Sequence, residues 1–171
     1  MYLFPLARRK CHMLKFSNTF VTFGLIALPI QLFAADELQL GFELGSILPD
    51  ARAYASANGW ALRRLSEDLP NEWVVEGADG GLFVCDNTVL AVRRNFEGNV
   101  DDFASMVLET TIARGAPETN IVTFLAGNVR ISNIDARYES EDGSGVQIQL
   151  HSTDGKVGIS TNVWSAEGCA D

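Results

Sequence analysis

Residues 81–98, GLFVCDNTVLAVRRNFEG, contain two apolar runs joined by a turn sequence, and this pattern recurs along much of the chain. The runs GLFVCD (81–86) and VLAVRR (89–94) are rich in the β-branched and aromatic residues that strands favour. Asp86 and Asn87, at the junction, are residue types that form tight turns. Because so short a connection cannot make a parallel crossover, we predict an antiparallel hairpin here.

A helix and two further strands are predicted before this hairpin. The segment GSILPDARAYASANGW predicts a helix over about residues 47–58, with Ser46 as its N-cap and Pro49 tolerated in the first turn. Two strand candidates then lead to the hairpin, WALRRL (60–65) and EWVVEG (72–77). The first part of the chain is therefore predicted to form one helix followed by a four-strand antiparallel meander.

The same order of elements restarts after the hairpin. Asn99 is a suitable N-cap for a second helix that runs to about Arg114, and Asp101 and Asp102 lie favourably at its positive end. Four more strand candidates follow: NIVTFL (120–125), VRISNIDARY (129–138), VQIQLH (146–151) and KVGISTNVW (156–164). Strict alternation of apolar and polar residues in VQIQLH predicts one buried face and one exposed face.

These elements predict a single α+β domain over residues 35–171. It would consist of two tandem helix plus four-strand antiparallel meander units, with pseudo-repeat halves at about 41–95 and 96–164. The simplest assembly packs both helices on one face of an antiparallel sheet and leaves the other face uncovered.

The first 34 residues have the pattern of a secretory signal peptide. Basic residues are followed by the apolar run FVTFGLIALPIQLFAA (20–35), which is too short for a membrane span, and cleavage after Ala34 or Ala35 fits equally. Met13 is a second candidate start, because the sequence from there is a complete signal peptide by itself. We therefore expect a periplasmic or secreted protein with no stable membrane insertion after cleavage.

The charge of the chain restricts its partners. The predicted leader carries four of the thirteen basic residues and none of the twenty-two acidic residues, so residues 35–171 would be strongly acidic. Nucleic acids and anionic membrane surfaces need a positive face, and we expect neither as a partner. A basic partner is compatible with this charge, but solubility alone is the simpler explanation and the one we favour.

Cys85 and Cys169 are the two cysteines that remain after removal of the predicted leader. Cysteines of an exported protein usually pair in an oxidising compartment, so we predict a disulfide between them. It would hold the end of the chain against the strand that contains Cys85. A free buried thiol and a functional thiol remain the alternatives.

Few residues of the predicted mature chain suggest catalysis. His151 is its one histidine, which disfavours both a catalytic triad and a zinc site, and we expect no catalytic residue, metal or other cofactor. The acids in or beside strands could in principle form a carboxylate pair for glycoside cleavage: Glu72, Glu76, Asp86 and Asp135. The doubled arginines are weak candidates for binding carboxylates or phosphates: Arg63, Arg64, Arg93 and Arg94.

The favoured function is a non-enzymatic binding or protein-interaction module, with an envelope protein as its partner and inhibition as one form of the interaction. One alternative is a small hydrolase that acts on envelope carbohydrate through paired carboxylates. Another is a carrier of a small anionic ligand that is held by the paired arginines.

Overall fold

The computed structural model describes residues 38–169, which form two helices and eight strands. The helices are α1 (Leu48–Ala57) and α2 (Val100–Arg114). The strands are β1 (Ala61–Ser66), β2 (Leu69–Glu76), β3 (Gly80–Cys85), β4 (Thr88–Phe96), β5 (Glu118–Ala126), β6 (Val129–Glu139), β7 (Gly145–Thr153) and β8 (Lys156–Trp164). The predicted signal peptide lies outside the described residues.

All eight strands belong to one antiparallel sheet with the order β1-β2-β3-β4-β8-β7-β6-β5. Strands that are consecutive in the chain are neighbours, except at the centre, where β4 pairs with β8. This pairing leaves β1 and β5 as the two edges of the sheet. The prediction of an α+β fold with an antiparallel sheet is confirmed.

The hairpin predicted within residues 81–98 is formed by β3 and β4. Leu82 pairs with Val92, and Cys85 pairs with Thr88 across the turn. The two turn residues have left-handed backbone angles, with φ of 48° at Asp86 and 67° at Asn87. Positive φ at both central residues matches the right-handed twist of the flanking strands, and Asn and Asp tolerate this region better than most residues.

One face of the sheet, here called the core face, carries the hydrophobic core. Val92, Val163 and Val146 lie side by side on β4, β8 and β7, and all three are buried. Helix α1 packs its buried Ala51 and Ala55 into a cluster that includes Val92, and α2 packs Met106 into a cluster that includes Val163 and Val146. Small alanine side chains allow α1 to approach the strands closely.

The predicted N-cap of α1 is wrong, because residues before the helix bond to the β3–β4 turn. The cap position is Ile47, which makes no side-chain capping bond, and Ser46 Oγ instead donates to the Glu43 carbonyl at 2.7 Å. The backbone of Ile47 forms a bridge with Thr88. Pro49 lies at the second helical position and has no N–H for a capping side chain to bind.

The predicted cap of α2 is confirmed as a complete capping box. The Asn99 side chain accepts hydrogen bonds from the backbone N–H of Asp101 at 2.7 Å and of Asp102 at 3.2 Å. In return the Asp102 carboxylate accepts from the Asn99 N–H at 2.9 Å. Three backbone donors at the helix start are thereby satisfied, and both carboxylates lie at the positive end of the helix dipole.

The predicted disulfide between Cys85 and Cys169 is present, with the two Cα atoms 5.5 Å apart. The segment after β8 also bonds to β4, since the Ser165 N–H donates to the Leu90 carbonyl at 2.9 Å. The end of the described chain is therefore attached to β3 through the disulfide and to β4 through Ser165.

Candidate binding surface

The face of the sheet opposite the core, here called the open face, carries polar side chains on its central strands. Strand register aligns Arg93 on β4 with Asn162 on β8, and Asn162 with Gln147 on β7. A second row aligns Ser160 on β8 with Gln149 on β7. Successive strand residues point to opposite faces, so these polar side chains project away from the core face.

A hollow of about 390 Å³ lies at the centre of the open face. It is lined by Glu72, Gly81, Leu82, Phe83, Ala91, Arg93, Gln147, Gln149, Ser160 and Asn162. The two small residues, Gly81 and Ala91, leave room between larger neighbours. A Cβ at Gly81 would lie 2.8 Å from the Trp73 carbonyl oxygen, so close strand packing requires glycine there. We call this feature the central hollow.

Asp135 orients two amides that line the central hollow. Its Oδ1 atom accepts hydrogen bonds from Gln147 Nε2 at 3.0 Å and from Gln149 Nε2 at 2.6 Å. Because each amide directs its nitrogen to Asp135, its oxygen lies on the other branch of the side chain and can accept a hydrogen bond. The carboxylate thus holds two neighbouring acceptors in a defined orientation.

Arg93 supplies hydrogen-bond donors to the same hollow. Its side chain is exposed, and Nε donates to Asn95 Oδ1 at 3.2 Å. This contact restricts the guanidinium, whose terminal N–H groups are suited to paired hydrogen bonds with a carboxylate or phosphate. The lining therefore combines oriented acceptors, one cation and the carboxylate of Glu72.

The structure separates the four arginines that the sequence suggested for binding. Arg93 lines the central hollow, whereas Arg63 forms an exposed ion pair with Glu76. Arg64 lies over the ring of Trp73 at 5.6 Å from its centroid, and Arg94 lies 5.3 Å from the centroid of Phe96. Strand register places Arg64 and Arg94 on the core-face side, so these four residues do not form one site.

The carboxylates of the predicted glycosidase alternative are also dispersed. Glu72 lines the central hollow, Glu76 pairs with Arg63, and Asp135 accepts from two amides. Asp86 lies in the β3–β4 turn. These locations do not place two of the acids together on the hollow.

His151 lies on the open face near the end of β7, beside Gly158 of β8. The ring packs over this glycine, where an added Cβ would lie 2.8 Å from Nε2. Its Nδ1 atom is buried without a hydrogen-bond partner among the described residues.

Within residues 38–169 there is no group of three or more metal-ligating side chains. Helices long and apolar enough to cross a membrane are likewise absent from this range.

Comparisons of the chain with models of protein families, with curated proteins and with solved structures found no match.

Sequence reasoning did not identify Phe83, Gln147, Gln149 and Asn162 as neighbours on one surface. The alternation in VQIQLH correctly placed both glutamines on the exposed side of β7. Their position opposite Arg93 depends on the pairing of β4 with β8, which are far apart in the chain. The remaining signal was the polar residue Asn162 directly before the apolar Val163 on β8.

Proposed function

We propose that this chain is an exported, non-enzymatic protein-interaction module whose binding surface is the open face of its sheet. In this proposal two tandem units, at about residues 41–95 and 96–164, each contribute a helix and a four-strand meander. Both helices cover the core face, which leaves the opposite face for a partner. The strand order, with β4 and β8 adjacent at the centre, supports this arrangement.

The row formed by Arg93, Asn162 and Gln147 carries the proposal. These side chains cross three strands beside a hollow of about 390 Å³, and Asp135 orients the neighbouring amides. Such a surface offers both donors and acceptors to the backbone and polar side chains of a peptide segment. Specificity then arises because unmatched polar groups are costly once they are desolvated.

The partner we propose is an envelope protein with an accessible basic segment. The formal charge of the whole chain is −9, and removal of the predicted leader would make it more negative. Long-range attraction of a basic segment would raise the association rate, and Glu72 offers a carboxylate within the central hollow. We therefore expect the affinity to fall as the salt concentration rises.

A carrier of a small anionic ligand is the second candidate function. The position of Arg93 on the central hollow favours it, because a guanidinium can hold a carboxylate or phosphate through two parallel hydrogen bonds. NMR titration of the protein with acetate and inorganic phosphate would test this candidate. Saturable shifts confined to the hollow would favour a carrier over a protein-interaction module.

Site-specific photo-crosslinking in the envelope tests the leading proposal. A photoreactive residue at Asn162 is expected to capture a discrete partner, whereas the same residue at Arg114, on the exposed end of α2, is not. Glu72→Lys, which removes the carboxylate offered to a basic segment, should abolish capture from position 162. Glu43→Lys, with the same charge change at an exposed residue before α1, should not. Equal capture from both positions, or no effect of Glu72→Lys, would contradict the open face as the binding surface.

Export is tested separately by the intact mass of the protein recovered from the envelope or medium. Loss of residues 1–34 or 1–35 is the expected result. A mass that retains the leader would contradict a periplasmic or secreted location.

A further inference from the structure

The edge strand β5 is unusually exposed and apolar. It pairs with β6 on one side, and among residues 38–169 no strand pairs with its other side. All nine of its residues are exposed, including Ile121 at 69% and Leu125 at 71%. An exposed edge presents unpaired N–H and C=O groups, which are a template for a further strand.

The two edges of the sheet differ in their protection against such pairing. At the opposite edge, β1 carries Arg63 and Arg64, and charged edge residues discourage strand addition. In β5 no residue between Thr119 and Ala126 is charged. This uncharged segment belongs to an otherwise acidic chain, so its composition suggests an edge that is covered in the assembled protein.

The order of side chains in β5 is self-complementary about Thr123. Antiparallel pairing of two copies centred on this residue places Ile121 opposite Leu125 of the second copy. It likewise places Val122 opposite Phe124 of the second copy. The first pair lies on the core-face side and the second on the open-face side, since Ile121 is in register with Ile134 and Val122 with Asn133. A pairing centred one residue earlier, on Val122, would place Ile121 opposite Thr123. Both apolar matches would then be lost.

We propose that β5 pairs with β5 of a second copy of this chain around a two-fold axis at Thr123. The pairing joins two eight-stranded sheets into one continuous sheet, satisfies the free backbone groups of both edges and covers four apolar side chains per copy. An isologous interface of this kind needs only one self-complementary surface. Because both copies are acidic, added salt should strengthen the dimer by screening their repulsion. The two central hollows remain accessible, so this inference is independent of the proposed function.

Sedimentation equilibrium of the purified exported protein, across a concentration series, tests the dimer. The wild-type chain should show a monomer–dimer equilibrium, and Leu125→Lys should weaken the association at least tenfold. Leu65→Lys on β1 is the matched control, because Leu65 is also exposed, at 53%, but lies on the other edge. Its dissociation constant should equal that of the wild type. Far-ultraviolet circular dichroism should be unchanged in both variants, since the substituted side chains are exposed.

Disulfide trapping tests the axis itself. Thr123→Cys should form a covalent dimer under mild oxidation, because two residues facing each other across a two-fold axis lie within disulfide range. Leu65→Cys should not. A wild-type monomer at every concentration, equal association of Leu125→Lys and wild type, or no cross-link at position 123 would each overturn the proposal.

Discussion

Removal of the Cys85–Cys169 disulfide should cause a large loss of stability. The bond joins residues 84 positions apart, so the loop that it closes contains β4, α2 and the last four strands. In the chain-entropy description, closing a loop of this length restricts the unfolded chain by about 4–5 kcal/mol. Native-state relaxation lowers the measured value, and we expect a loss of about 3–4 kcal/mol. Domain stabilities are only about 5–15 kcal/mol, so this is a substantial fraction.

Urea unfolding of the double variant Cys85→Ala/Cys169→Ala, compared with the oxidised wild type, measures this loss. The variant chain has no cross-link when unfolded, so it exposes more surface and its m-value should rise as its midpoint falls. The reduced wild type is the matched control, because it lacks the bond but keeps both sulfur atoms. It should lose nearly as much stability as the double variant.

The reasoning would be refuted by a loss below about 1 kcal/mol in both the double variant and the reduced wild type. A large loss in the double variant alone would also contradict it. That result would assign the effect to the buried Cys85 sulfur, whose residue is 7% exposed, rather than to the closed loop.

Three further predictions concern the core, a helix cap and a turn. Ile148 is fully buried beneath α2, so Ile148→Ala should cost about 3–4 kcal/mol in urea unfolding. Asn99→Ala removes two capping bonds and should cost about 1 kcal/mol in the same assay. Hydrogen bonds from the Ser144 side chain and then its backbone hold the pKa of Asp142 below its usual 3.8. Their stabilising effect is present above that value and is lost as the pH falls through the folded-state pKa. Because Ser144→Ala removes the side-chain hydrogen bond, it should raise the pKa of Asp142 in an NMR titration.

Each of these predictions has a contradicting result. A cost below about 1 kcal/mol for Ile148→Ala would mean that the strands beneath α2 are loosely packed. An Asn99→Ala variant as stable as Asn99→Asp would show that the capping bonds add nothing. The Ser144 hydroxyl donates to the Asp142 carboxylate at 2.7 Å. If the pKa of Asp142 is unchanged in Ser144→Ala, this hydroxyl is not the main cause of the low pKa.

Local signals in the sequence predicted elements well where neighbouring residues alone determine them. The Asp86-Asn87 turn and the Asn99 cap are examples, since each bond there joins residues only a few positions apart. The Ser46 cap failed because a tertiary contact intervened, the bridge between Ile47 and Thr88. Arg63 was a reasonable candidate by residue type, but its partner Glu76 on β2 was not evident from spacing.

By itself, the sequence determined the composition of the strands, the turns between them, the polar and apolar alternation and the pairing of two cysteines. These depend on backbone preference, on the two-residue period of strands and on the small number of possible partners. The tertiary structure alone decided that β4 lies beside β8, which brings Arg93 next to Asn162 and Gln147. It also decided which edge of the sheet remains uncovered. Both outcomes depend on how distant segments bury their apolar faces together, a cooperative property that no local window of sequence contains.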